Sequence, residues 1–471
     1  MNNEDKIPTI YAKNGEVKID DKVPFAYDLL GRGRYATTLD RIILSYKKGA
    51  VLALNGEWGT GKTTFVEMWG KTLQNMDYPV VYYNAWENDY SEEPLFSMIK
   101  SLRSLSADKS SFDKVVEKAG KFIVGALFGA AKSASGLWGN IASAAFKGGI
   151  EKLEKDCIDS MKSKEDTSSM INAFKDALSE YLSSCEQNIP LVYFVDELDR
   201  CNPTFAVKVL ERIKHLFDVP NVVFVLSIDK KQLAFSINGF FGSERFDSTE
   251  YLRRFIDIDY DLPKPDMSRF CKKLFENYGF DEIIEKQFKI TVGVRFSILD
   301  VIEKYVKYYR MNLRQVEKMF AITRAGIWGL NISKEEDVSL LFFFAYLRLF
   351  EIDLYADIDE YRLDLQKVID RLESIIKDGQ QGTILREERF MNTMAYFIIL
   401  YMEGYSKTGK FVSMDSLIGQ NNELMVTFKR FDDTIMKNYF IDYKAKNSNY
   451  SWSGLKIEDF KNHISLHERI N

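Results

Sequence analysis

The stretch NGEWGTGKTT, Asn55 to Thr64, decides the fold. Within it Gly56–Thr63 has the form G-x-x-x-x-G-K-[ST]. It follows the apolar run Val51–Leu54 and opens the helical pattern TFVEMWGKTL. That strand–loop–helix context predicts a phosphate-binding loop. The physics is anion capture: glycine lets the backbone approach closely, and N–H groups at the helix start point at a β-phosphate. Lys62 is expected to bridge the β- and γ-phosphates, and the Thr63 hydroxyl to ligate Mg²⁺. Expected nucleotide contacts along the loop are Gly56, Glu57, Trp58, Gly59, Thr60, Gly61, Lys62, Thr63 and Thr64.

A second signal lies at PLVYFVDELDRC, Pro190–Cys201. Asp196 ends an apolar strand, where a carboxylate holds Mg²⁺ through water. Glu197, one residue on, is placed to polarise an attacking water as general base. Adjacent acids often form only a solvated turn, but here they follow a buried strand in a chain that already has a phosphate loop. Together the two signals predict hydrolysis rather than binding alone. Asp199 and Arg200 read either as a structural ion pair or as an extension of the site towards a neighbouring subunit. Ser227 and Asp229 end the strand VVFVLSID, so a polar group there either senses the γ-phosphate or belongs to an ordinary turn. Arg253 and Arg254 precede an edge strand, and Arg314 opens a helix in NLRQVEKMF. Arginine supplied in cis or in trans stabilises the charge that spreads over a transferring phosphoryl group. Arg314, or one of the 253/254 pair with Arg254 first, is the candidate, against the alternative of an ordinary surface arginine.

Five β-type runs organise the first part of the chain: Val51–Leu54, Val80–Tyr83, Leu191–Val195, Val222–Ile228 and Ile256–Leu262. The first four are nearly continuous apolar runs, as expected of strands buried on both faces of a parallel sheet. In the fifth, Ile256, Ile258, Tyr260 and Leu262 alternate with Asp257, Asp259 and Asp261, so one face meets water and an edge position is expected. Asn202–Pro203 caps a helix striped by Val209, Ile213 and Leu216. Strands alternating with helices give an α/β layered fold. A gap near 91–187 between the second and third strands far exceeds one crossover and reads as a mostly helical insertion. After Pro265 the strand signals fade. The domain reading is a P-loop core at 1–265, a helical lid at 266–330 and a helical C-terminal domain at 331–471.

With these motifs in order, the chain resembles the KAP P-loop NTPases, a branch of the additional-strand catalytic-glutamate ATPases. The resemblance rests on DLLGR (28–32), GEWGTGKT (56–63), YYNAWEND (82–89), FVDELDRCNP (194–203), VLSIDKKQL (225–233), YLRRFIDIDYDLP (251–263) and MNLRQVEKMF (311–320). It implies a parallel sheet of order 5-1-4-3-2. It also implies that Leu30–Arg32, including Gly31 and Arg32, lies near the adenine, with Arg314 in a lid over the nucleotide. The acidic pair after the third strand is typically Asp–Asp in the family; Asp196–Glu197 departs from that and strengthens the catalytic reading. ATP rather than GTP is implied by the resemblance, since no Asn/Thr-Lys-x-Asp motif for guanine is apparent. Relatives serve in bacterial anti-phage systems and in membrane-associated signalling scaffolds.

The expected activity is therefore Mg²⁺-dependent ATP hydrolysis driving a conformational or oligomeric switch. Homo-oligomers or partner proteins would act through the insertion and the C-terminal region. An interaction scaffold stabilised by nucleotide, with little turnover, is the alternative. The net charge of −5 argues against a nucleic-acid translocase. Cys157, Cys185, Cys201 and Cys271 show no zinc or redox spacing, and with a polar N-terminus they point to the cytoplasm. Many relatives carry membrane helices in the insertion, where Phe122–Phe146 lies. Its first apolar run, Phe122–Ala131, is about half of what a bilayer needs, so a buried or interfacial hairpin is expected over a span. His463 and His467 share a helix face but have no third ligand in view. The triplet Phe342–Phe344 is expected in the core.

Overall fold

A computed structural model describes residues 19–102, part of 175–182, 189–447 and 455–465, apart from positions 47, 92, 217–218, 243–245, 289–291, 329, 331, 333, 379–382 and 410–411. The segment Phe122–Phe146 and His467 lie outside the described residues. The chain divides into two compact units, Ile19–Lys264 and a helical unit at Pro265–Asn471.

In the first unit the elements run α1 (Gly33–Ser45), β1 (Ala50–Asn55), α2 (Lys62–Asn75), β2 (Val80–Asn84), α3 (Pro94–Ser101) and β3 (Leu191–Asp196). They continue with α4 (Pro203–Leu216), β4 (Val222–Ile228), α5 (Lys230–Phe241), α6 (Ser248–Arg253) and β5 (Ile258–Asp261). All strand pairs are parallel, in the order β2-β3-β4-β1-β5. Read from the opposite edge, that is 5-1-4-3-2. The apolar runs explain the centre: every residue of β4 is buried, as are the first five of β1 and β3. The edge strand β5 is shorter than its apolar–acidic alternation, beginning two residues later, because only Ile258–Asp261 pair with β1. Its acids have defined partners. Asp257 accepts from Val51 N at 2.8 Å, Asp259 from Lys230 Nζ at 2.6 Å and Asp261 from Asn55 Nδ2 at 2.7 Å.

The other edge, β2, is half-covered on one side, since Tyr82 is the exposed member of its run. β2 stops at Asn84, and Trp86–Asn88 form a 3₁₀ turn. Tyr82 lies along α2: its hydroxyl donates to the Val66 and Glu67 carbonyls, and its ring stacks on Phe194 with centroids 5.2 Å apart. This requires a glycine at position 70, because a methyl there would overlap the Tyr82 hydroxyl and ring carbon and meet Phe194. Alanine favours a helix interior by about 1 kcal/mol over glycine. Expelling Tyr82 from its slot is an overpacking change that costs about 1–3 kcal/mol. Gly70→Ala is therefore expected to lower stability in urea denaturation; a variant as stable as wild type, or more so, would show that Tyr82 does not anchor β2.

The helical unit contains α7 (Met267–Asn277), α8 (Phe280–Phe288), α9 (Val292–Tyr308), α10 (Leu313–Gly326), α11 (Glu335–Phe350), α12 (Ile352–Asp359), α13 (Leu365–Ser374), α14 (Glu388–Ser406), α15 (Asp433–Asn447) and α16 (Ile457–Ile464). α11 is buried all round from Val338 to Leu347, as expected of a helix surrounded by others. The three consecutive phenylalanines show why: Phe342 meets Phe320 of α10, Phe343 meets Tyr305 of α9 and Phe397 of α14, and Phe344 stacks on Phe460 of α16. Buried Glu373 accepts three main-chain N–H groups, from Lys429, Arg430 and Phe431, which holds the 429–431 loop against α13. Among the described residues no helix is long and apolar enough to cross a membrane, and no group of three or more His, Cys, Asp or Glu residues could hold a metal.

Candidate nucleotide site

The loop between β1 and α2 begins where the strand's pairing ends. Gly56 N still donates to Ile228 O of β4 at 3.1 Å. Beyond it the main-chain N–H groups from Glu57 to Thr64 find no acceptor among the described residues. A helix start leaves its first N–H groups without intrahelical acceptors, and such a run continued through a glycine loop is a ready anion cradle. Gly59 and Gly61 make the turn possible at φ 75° and 81°, in the left-handed region where a side chain is disfavoured. Gly56 is also closely packed, since a Cβ there would press on Thr60 Oγ1 at 3.1 Å and on the Lys62 stem at 3.3 Å. Thr60 Oγ1 donates back to Glu57 O at 2.7 Å and braces the loop from within.

Lys62 is buried at 9% exposure, with its ammonium donating to Gly56 O at 2.6 Å and Glu57 O at 3.3 Å. Desolvation pulls its pKa down, and the charges of Asp199, Asp229 and Asp196 oppose that shift. The cation therefore sits among three carboxylates drawn from the ends of two other strands. Asp196 ends β3 directly beside Ser227 of β4 and Asn84 of β2. By strand alternation Asp196 and Ser227 lie on the face that packs on α2, with Val192, Phe194, Val223 and Val225. Ser227 is fully buried, and its hydroxyl has no partner among the described residues. An orphaned buried hydroxyl of this kind fits a bound polar group. The oxygens of Thr63, Asp196 and Ser227 are the hard donors that suit Mg²⁺ and its waters.

Glu197 occupies a left-handed backbone conformation, φ 60° and ψ 23°. For a residue with a side chain this costs on the order of 1 kcal/mol or more. The carboxylate is held on both sides, by Asn84 Nδ2 at 3.3 Å and by Arg200 Nη1 at 2.7 Å. Arg200 in turn lies over the exposed Trp86 ring, 5.6 Å from its centroid. So Arg200 pairs with Glu197, while buried Asp199 takes the indole N–H of Trp58 and, at 3.1 Å, the main-chain N–H of Asp229. The role of Asn84 was not readable from its motif alone; its Oδ1 also caps the 3₁₀ turn at Trp86 N, 3.0 Å away. Glu67, one turn past Thr63, also belongs to this neighbourhood, its carboxyl pushed up by desolvation and by Asp196.

Gly31 adopts φ 67° and lets Arg32 turn inward. The Arg32 guanidinium is 2% exposed and donates to Thr60 O of the loop at 2.6 Å and Pro263 O at 2.8 Å. Desolvation lowers its pKa to about 10, with Asp28 opposing. Arg32 thus braces the loop through its carbonyl edge. Arg254 is exposed at the end of α6, and Arg314 is exposed in the first turn of α10, behind an Asn312–Gln315 capping box. Arg314 belongs to the helical unit, and Arg254 to the unit that holds the loop.

Comparison with known proteins adds one strong result. No curated protein matches the sequence. Among solved structures, that of the Aeropyrum pernix ORC2 protein (ADPNP–ADP complexes) is similar at 13% identity and TM-score 0.33, over 93% of this chain and 95% of that one. So distant a likeness carries no argument about this site. The profile of the KAP family P-loop domain, by contrast, matches residues 32–327. That range takes in Arg32, the loop, all five strands and Glu197, and it is more than half of the sequence: the chain belongs to the KAP family of P-loop NTPases.

Proposed function

We propose that the protein is a Mg²⁺-dependent ATPase whose turnover drives a conformational or oligomeric switch. In this reading the free N–H groups of Glu57–Thr64 take the phosphates and Lys62 moves its ammonium from loop carbonyls to the β- and γ-oxygens. Thr63 and Asp196 would hold Mg²⁺, which supplies charge neutralisation to the phosphate oxygens. Ser227 would offer its unpartnered hydroxyl to the γ-phosphate. Glu197 would take the proton of the attacking water, with Asn84 and Arg200 fixing its carboxylate. Arg254 or Arg314, in cis or from a neighbouring copy, would face the developing charge. ATP over GTP, partner proteins or further copies of this chain, and a setting in bacterial defence against phage rest on the family resemblance alone.

The observation that most supports hydrolysis is the backbone of Glu197. A glutamate in a backbone conformation that glycine would adopt without strain, next to a metal-suited aspartate and held by two side chains, supports a role for its carboxylate. Phosphate release from ATP and GTP, with Mg²⁺ or with excess EDTA, tests the reading. Release is expected with Mg·ATP only. Tight nucleotide binding without release under any partner condition would instead favour a nucleotide-stabilised scaffold.

A further inference from the structure

We propose that Asp199 is a positioning residue for the phosphate loop, joining Trp58 to the β4–α5 junction through one buried carboxylate oxygen. The inference rests on the nucleotide-binding reading above. Trp58 is the third residue of the loop, and its ring is 47% exposed with no ring contact among the described residues, so packing alone does not hold it. What holds it is specific: the indole N–H donates to Asp199 Oδ2. The same oxygen accepts Asp229 N. Asp229 caps α5 by accepting from Lys231 N and Gln232 N, so it is itself fixed. Asp199 sits on the 3₁₀ turn Leu198–Arg200, directly after Glu197. One oxygen therefore ties together the phosphate loop, the acidic turn and the end of β4.

Two other roles fit less well. An ion pair with the adjacent Arg200 would be purely structural, but that guanidinium bonds Glu197. A second general base would need a carboxylate open to water, whereas Asp199 is 7% exposed and already accepts two donors. The charge of Asp199 is matched by the Lys62 ammonium, the group that must meet the phosphates. Asp199 thus acts on the nucleotide through Trp58 and Lys62 without touching it.

The test is a double-mutant cycle of Trp58→Phe and Asp199→Asn, read by calorimetric titration of the full chain with Mg·ADP. Loss of a hydrogen bond to a buried charge is expected to weaken binding about ten- to a hundredfold in each variant. Both changes act on the same link, Trp58→Phe by removing the donor and Asp199→Asn by removing the charge on the acceptor, so the two losses should combine to less than their product. In steady-state assays the larger part of the loss should fall on KM. Multiplying losses, or a loss confined to kcat, would overturn the proposal. So would a lowered melting temperature with Mg·ADP affinity unchanged, the signature of a merely structural contact. If Asp199→Asn does not fold, Trp58→Phe alone decides, since it removes one N–H from a half-exposed ring. A wild type that binds no adenine nucleotide refutes the nucleotide reading and the proposal with it. A wild type that binds, with variants binding equally well, refutes the proposal alone.

Discussion

Lys62→Ala is expected to abolish useful nucleotide binding. The ammonium is the buried cation of the site, and removing one partner of a desolvated charge pair costs about 2–5 kcal/mol, roughly thirtyfold to a few thousandfold in Kd. The substitution also removes the positive charge that opposes the desolvation of Asp199, so the nucleotide-free protein should lose stability as well. The sign with pH follows from the direction of that shift. Asp199 is a carboxyl raised above its unfolded value, so its cost to stability grows as pH rises from the unfolded value through the folded one and vanishes only below the unfolded value. Without Lys62 the shift grows, and the stability deficit of the variant should therefore shrink on acidification. Calorimetric titration with Mg·ATP and urea denaturation at two pH values check both statements. Binding within threefold of wild type would remove Lys62 from the site.

Glu197→Gln is expected to keep nucleotide affinity and lose turnover by about a hundred- to ten-thousandfold, the range of a general base. The amide keeps the shape and can still accept from Asn84, but it cannot take a proton and it loses the charge that pairs with Arg200. Single-turnover phosphate release alongside Mg·ADP titration separates the two effects. Equal hydrolysis by wild type and variant would sink the assignment of the base. The same variant is expected to hold nucleotide without consuming it, so that what co-purifies with it from the native host, with and without phage challenge, would identify partners.

The loop, the five strands and the edge character of β5 were legible because each depends on short-range pattern. A glycine-spaced lysine after an apolar run, or an apolar–acidic alternation, specifies its local backbone within about ten residues. Asn84–Trp86 was legible as a motif and not as a contact. Its amide reaches Glu197 across 113 positions of sequence, and only the pairing of β2 with β3 brings them together. The choice between an Asp199–Arg200 ion pair and a wider role was open for the same reason, since the partner of Asp199, Trp58, lies 141 positions away. The inward turn of Arg32 onto Thr60 and Pro263 likewise has no local signal.

By itself, then, the sequence determined that a phosphate loop with its lysine and an acidic strand end exist, because backbone type and residue chemistry there are set by near neighbours. Tertiary structure alone decided what those groups touch. Lys62 among three carboxylates, Ser227 beside Asp196 without a partner among the described residues, and Asp199 holding Trp58 all follow from which strands lie side by side. That order is stabilised by apolar burial summed over the whole sheet, a non-local quantity that no single stretch of residues records.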